Sequence, residues 1–250
     1  MVKKQVSKVS QIQQNNQDVI KVMIGTPTLD GRVSAWYADA LVKTIILASQ
    51  NGIFVTPVFV AYDSMLERAR NDLFYVMLTN DFDYLFFVDS DEAWMPEDFV
   101  KIIKYNKDFI GGTARRKNPM DESYVFRLEP GTQLPIEMNE EGLLETDGLG
   151  TGFLCLSRSC VQKLWDASKP YFDSRQIIEG KPVEKRMVFE VTVNDKYKEI
   201  VSEDINLCLK WKDLGGKIYF DPRITILHYG EVPFSGDFIS WAVRNKIVKV

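Results

Sequence analysis

The chain has 250 residues, 45% of them apolar and 26% charged, with a formal net charge of −4. Those values exclude the disordered and fibrous classes and leave room for one large α/β domain with a real core. They also argue against a surface given over wholly to nucleic-acid binding, although a local basic groove is compatible with them. No apolar run reaches the roughly 20 residues of a membrane span, so a cytoplasmic protein is expected, in a host cytoplasm if the chain is viral. Three cysteines, Cys155, Cys160 and Cys208, form no CxxC pair and read as buried apolar fillers.

Residues 1–18 open with Met1-Val2-Lys3-Lys4 and run into Gln11-Ile12-Gln13-Gln14-Asn15-Asn16-Gln17, too poor in apolar side chains to offset ordering entropy. They read as a flexible leader before a single domain over 19–250. Val19 to Gly25 is a short apolar run of the kind that forms a buried parallel strand, with Thr26-Pro27-Thr28 at its C-terminal end. Ala38, Leu41, Ile45 and Ala48 recur at helical spacing, and Asn51-Gly52 closes that helix. A strand over 56–60, a helix over about 64–79 and a strand over 84–88 follow. This alternation predicts a doubly wound sheet flanked by helices, with ligands at the carboxyl ends of the strands.

Asp89 stands at one such end. In extended backbone, residues two apart project to one side, so Asp89 and Asp91 can offer two carboxylates to one Mg²⁺ or Mn²⁺; a solvated acidic turn is the plainer alternative. Glu92 to Asp98 reads as a helix entry. Further on, Ser202-Glu203-Asp204 precedes a helical run. Ser202 suits an N-cap and the two acids suit a first turn, so capping explains them; a cleft carboxylate acting as general base is the other reading. His228, the only histidine, ends the apolar run Ile224 to Leu227, as a structural residue or as a nitrogen ligand that would tilt an oxygen site toward Mn²⁺.

Gly148, Gly150 and Gly152 permit close approach of backbone to a ligand but match neither a phosphate loop nor a dinucleotide fingerprint. Arg68 and Arg70 could neutralise phosphate, though two helical arginines more often face solvent. Arg115-Arg116-Lys117 is a second basic cluster, and Trp94, Trp165 and Trp211 read as core residues. Residues 120–147 and 166–200 break the alternation and are candidate substrate loops or hairpins.

Taken in order, Ile24-Gly25-Thr26-Pro27-Thr28, Asp89-Ser90-Asp91, Gly148 to Gly152, Ser202-Glu203-Asp204 and His228 resemble the motifs of GT-A glycosyltransferases. The likeness is to family-2-like enzymes and to small relatives from large DNA viruses and bacteriophages. The resemblance implies a nucleotide-diphospho-sugar transferase fold with a metal, Mn²⁺ or Mg²⁺, on Asp89, Asp91 and His228. It implies that Thr26, Pro27, Thr28, Asp63, Arg68, Asp89, Ser90, Gly150 and Gly152 bind a nucleotide sugar, a UDP-sugar as first guess. It further implies that Asp204, with Glu203 second, is the base of an inverting transfer to a hydroxyl on a glycan, small molecule, protein or modified nucleic-acid base.

Two other classes compete. A phosphatase of the haloacid dehalogenase type also uses Asp-x-Asp with Mg²⁺, but its nucleophile follows the first strand whereas Asp89 follows the third. A non-catalytic carbohydrate-binding module would use the cleft without Asp204 chemistry. A sugar nucleotidyltransferase would need a Gly-rich basic loop near the N-terminus, which this sequence lacks.

Overall fold

A computed structural model of the chain describes residues 19–194, 198–230 and 233–249, so the leader expected over 1–18 lies outside the described residues. The first part follows the expected alternation: β1 (Ile20–Thr28), α1 (Ala35–Gln50), β2 (Ile53–Ala61), α2 (Leu66–Thr79) and β3 (Tyr84–Val88). Ser34 caps α1 by accepting from the Tyr37 backbone N–H.

The expected helix entry at Glu92 is corrected. Glu92 and Ala93 are extended and form β4 (Glu92–Ala93), and α3 (Pro96–Lys104) starts only at the proline. Proline disfavours helical backbone in the residue before it and suits the first helical position, with Glu97 and Asp98 completing an acidic first turn.

The middle of the chain holds β5 (Phe109–Gly111), β6 (Phe126–Arg127), β7 (Ile136–Glu137), β8 (Leu144–Thr146), β9 (Gly148–Leu149), β10 (Phe153–Ser157) and α4 (Arg158–Ala167). Next come β11 (Pro170–Ile178), β12 (Lys181–Arg186), β13 (Thr192–Asn194), β14 (Glu199–Val201) and α5 (Glu203–Asp213). The chain finishes with β15 (Ile218–Phe220), β16 (Leu227–Tyr229), β17 (Pro233–Phe234), α6 (Phe238–Arg244) and β18 (Val248–Lys249). The second long connection thus contains two hairpins, β11 with β12 and β13 with β14. The strand expected from Ile224 is shorter than its apolar run: Ile224 and Ile226 are buried in the core, and pairing begins at Leu227.

The main sheet has seven strands in the order β2-β1-β3-β10-β5-β15-β8. β1 runs parallel to β2 and β3, while β10 lies antiparallel between β3 and β5. Alternate residues of the central strands serve opposite faces, as the pleat requires. Met23, Leu85, Phe87, Leu154 and Leu156 pack with Leu73 and Phe74 of α2, Leu164 of α4 and Trp211 of α5. Val22, Ile24, Phe86, Val88 and Phe153 pack with Tyr37 of α1 and Phe99 of α3. Helices therefore cover both faces, and the site forms where β1 and β3 end and the antiparallel β10 begins. Cys155, Cys160 and Cys208 are free, buried thiols in these cores.

Candidate active site

Because β10 is antiparallel to β3, the segment before it meets the segment after β3. Phe153 pairs with Val88, and the Asp89 N–H donates to the Gly152 carbonyl at 3.1 Å. The Asp89-Ser90-Asp91 turn is thus pinned against the glycine loop. The chain then becomes extended again, and Glu92 in β4 pairs opposite His228 in β16. The Tyr229 N–H donates to the Asp91 carbonyl at 2.7 Å, which holds β16 against the turn. Opposed residues of an antiparallel pair project to one face, so Glu92 and His228 are neighbours at the cleft. Arg70 from α2 and Glu203 and Asp204 from α5 complete a cleft of about 220 Å³ that Asp89, Glu92, Gly150, Thr151, Gly152 and His228 also line.

Arg70 organises the charge. It was expected to face solvent, yet its side chain is only 3% exposed, because its position on α2 turns it under the end of β3. Its guanidinium donates to Asp89 Oδ1 at 3.1 Å and to Glu203 Oε1 through the other terminal nitrogen, and packs 5.7 Å from the Phe189 ring centroid. The planar guanidinium carries its donors in a fixed fork, which lets its two terminal nitrogens serve two carboxylates at once. Burial raises the Glu203 carboxyl above its ordinary range, with Arg70 pulling the other way.

Glu203 and Asp204 are therefore different groups in spite of being adjacent. Glu203 is tied to Arg70. Ser202 is the N-cap residue of α5, as expected, but its hydroxyl makes no bond to the helix backbone: Asp204 Oδ1 accepts from it and from the Ile205 N–H, the latter at 2.7 Å. Among the described residues Asp204 Oδ2 has no hydrogen-bond partner, and it lies 3.8 Å from where a side chain on Gly150 would begin. A glycine at 150 keeps that approach open.

At the other side of the cleft, His228 Nε2 lies 3.7 Å from Asp91 Oδ1. Its Nδ1 lies 3.0 Å from the Arg115 carbonyl oxygen, which can only accept, so Nδ1 carries a proton and Nε2 is the ring nitrogen turned to Asp91. Carboxylate and imidazole nitrogen suit a divalent transition ion, and in that respect the donor set fits one. Among the described residues no three His, Cys, Asp or Glu side chains already converge as a metal cage. Asp89 is held by Arg70, and Lys117, from the basic cluster at 115–117, pairs with Asp91 Oδ2.

Glu92 was missed as a cleft residue. Strand logic carried past Val88 puts it on the opposite side from Asp89 and Asp91, but the strand ends there and the turn re-aims it. It is 3% exposed, and among the described residues its Oε2 has no hydrogen-bond partner. Burial first, then the Asp89 and Asp91 carboxylates, push its carboxyl well above the ordinary carboxylate range. Gly152 makes the space: a Cβ there would lie 2.3 Å from Glu92 Oε1.

Of the residues expected to bind the nucleotide sugar, Thr26, Pro27, Thr28, Asp63, Arg68 and Ser90 sit outside this cleft's lining. Thr26 and Pro27 lie on β1, where Pro27 pairs with Val60; Thr26 is fully buried, 2.5 Å from the Tyr37 hydroxyl oxygen. Thr28 is buried and its Oγ1 has no partner among the described residues, while the Ser90 carbonyl accepts from the Ser34 N–H at 3.0 Å. Asp63 is clasped by Arg68 at 2.6 and 2.8 Å and by Arg175 at 2.7 Å. The Arg68 bonds, with help from Arg175 and against burial, bring its carboxyl down to about 2. Arg68 also lines a neighbouring cavity of about 240 Å³ with Tyr171, Asp173 and Arg175.

No family model and no curated protein matches the sequence. Among solved structures the chain is similar to A197 from STIV, with a TM-score of 0.50 and 14% identity over 84% of this chain and 86% of that one. An inositol-1-phosphate CTP transferase from T. maritima gives a TM-score of 0.41 at 10% identity, over 93% of this chain and 99% of that one, a score at which the likeness carries no weight. The first likeness concerns the fold alone. The fold is a mixed α/β sheet between helices, Rossmann-like and of the GT-A type expected from the sequence.

Proposed function

We propose that the cleft is the donor site of a glycosyltransferase that moves a sugar from a nucleoside diphosphate sugar to an acceptor hydroxyl. The observation that carries this reading is the division of the cleft: an Asp204 oxygen with no hydrogen-bond partner among the described residues on one wall, and Asp89 and His228 on the other, with Asp91 3.7 Å from His228. A transferase needs a proton acceptor for the incoming hydroxyl and, apart from it, a region that receives the negative charge of the leaving diphosphate.

Asp204 Oδ2 takes the acceptor proton while Ser202 and the Ile205 N–H hold Oδ1, fixing the direction of the basic lone pair. The acceptor oxygen bonds the anomeric carbon as the bond from that carbon to the diphosphate oxygen breaks, with its electron pair leaving on the diphosphate. Asp91 and His228 Nε2, with Asp89 beside them, are the residues that would hold a divalent cation, which when bound supplies positive charge against the departing diphosphate. Lys117 and Arg70 bring their own positive charge to the same end of the cleft.

Thermal unfolding with UDP-, GDP-, CMP- and dTDP-sugars, with and without Mn²⁺, tests the reading, since a ligand of the native state raises its stability. A shift with one nucleotide class that grows with Mn²⁺ is the expected result. Asp204→Asn should keep that shift and lose transfer by roughly a thousand-fold, the middle of the range for a general base. No shift with any donor, or phosphate release from phosphomonoesters in its place, would sink the proposal.

A further inference from the structure

Three polar groups that line the cleft wall carry atoms with no hydrogen-bond partner among the described residues: Glu92 Oε2, Thr151 Oγ1 and Arg70 Nε. Their residues are 3%, 2% and 3% exposed, so bulk water does not satisfy them as it would on a surface. Leaving such groups unpaired is costly, and three around one small cleft point to a ligand that completes them. The chemistry of the set is mixed. Glu92 offers an acceptor, Arg70 Nε a donor, and the Thr151 hydroxyl either.

A cation would satisfy the carboxylate but not the guanidinium, and a phosphate the reverse. A sugar ring answers all three, because each of its hydroxyls both donates and accepts. The position agrees with this. Glu92 lies deeper than Asp89 and Asp91, whose side chains are more exposed, and it abuts Gly152, where a side chain would take its place. We infer that Glu92 and Thr151, with Arg70 behind them, form the seat for the hydroxyls of the transferred sugar and set which sugars the cleft accepts. This rests on the donor-site reading above.

The test is calorimetric titration, with Mn²⁺ present, of wild type and of Glu92→Gln, Thr151→Val and Thr151→Ser. The probes are UDP-glucose, UDP-galactose, UDP-N-acetylglucosamine, GDP-mannose and dTDP-glucose, set against sugar-free UDP, GDP and dTDP. Glu92→Gln is isosteric and replaces a buried carboxyl with a neutral amide, so it should fold. The expected result is that Glu92→Gln and Thr151→Val bind the preferred sugar nucleotide about ten-fold more weakly, the worth of one hydrogen bond to a charged or buried group. Affinity for the matching sugar-free diphosphate should stay within about two-fold, and Thr151→Ser, which keeps the hydroxyl, should behave as wild type.

Equal losses for diphosphate and sugar nucleotide would overturn the inference in favour of a phosphate or cation role. No loss for either would overturn it in favour of a merely structural one. Wild type that binds diphosphates no more weakly than sugar nucleotides would also overturn it while leaving the donor site standing. Wild type that binds none of the probes brings down the donor reading itself, and that failure is visible before any substitution is made.

Discussion

Asp91 and His228 meet across 3.7 Å although one lies in the turn after β3 and the other on β16, near the end of the chain. The meeting is built by backbone: the Tyr229 N–H on the Asp91 carbonyl and the β4–β16 pair put the imidazole beside the carboxylate. The Arg115 carbonyl then turns Nε2 toward Asp91.

That geometry makes Mn²⁺ binding, without any donor, a direct test of the pair. His228→Ala and Asp91→Asn should each weaken it by roughly ten-fold or more, in the range seen when ligand sets are disturbed. Lys117 competes for Asp91 Oδ2, so Lys117→Ala should tighten Mn²⁺ binding several-fold. Electron paramagnetic resonance of free Mn²⁺ reads all three, and identical affinities across the set would remove the metal assignment.

Arg70→Met should cost about 3 kcal/mol of stability, since removing one partner of a buried pair strands the other charges. Here Glu203 and Asp89 both lose their shared cation. Arg70→Lys should recover only part of the loss, because an ammonium is a compact point charge that lacks the spread of the planar fork between the two carboxylates. Urea unfolding midpoints measure the difference; a shift below about 0.5 kcal/mol for the Met variant, the size of an ordinary surface change, would show that the bridge is dispensable.

Acid should act through Asp63. Its folded carboxyl sits at about 2 against an ordinary 3.8, held down chiefly by Arg68. A folded value below the unfolded one means that its stabilisation is complete above the unfolded value and is lost as the pH falls through 3.8 toward 2. Asp173, held down by Arg175 and then Lys185, acts in the same direction. Stability measured over that window should fall less steeply in Asp63→Asn than in wild type, and parallel curves would contradict the assignment.

Gly152→Ala should destabilise by about 1–3 kcal/mol, the usual cost of overpacking. The new Cβ would stand 2.3 Å from Glu92 Oε1 and 2.7 Å from its carboxyl carbon, so Glu92 must move. Glu92→Ala in the same chain should recover most of the loss. A double-mutant cycle with no coupling between the two positions would show that the crowding is relieved some other way.

Much of this protein was legible along the chain. Short apolar runs located β1 to β3, and helical spacing the helices between them, because a strand buried on both faces is apolar throughout and a one-sided helix repeats every 3.6 residues. The same patterning also marked Asp89 as a residue at a strand end and the cysteines as core. What it handled poorly were residues whose roles depend on a turn or on a partner distant in sequence. Arg70 reads as one of two surface arginines until α2 is laid under β3. Glu92 reads as the first residue of a helix until Pro96 delays that helix and β16 pairs with it.

Sequence alone determined the doubly wound layering and the order in which the acidic and imidazole groups arrive, since both follow from local patterning. Only tertiary structure decided which of them act together. Antiparallel β10, inserted between β3 and β5, brings the glycine loop against the Asp89 turn, and Arg70 ties Glu203 while Asp204 keeps one oxygen open. Strand order and the reach of a buried guanidinium are set by long-range packing, which leaves no periodic trace in the chain that encodes it.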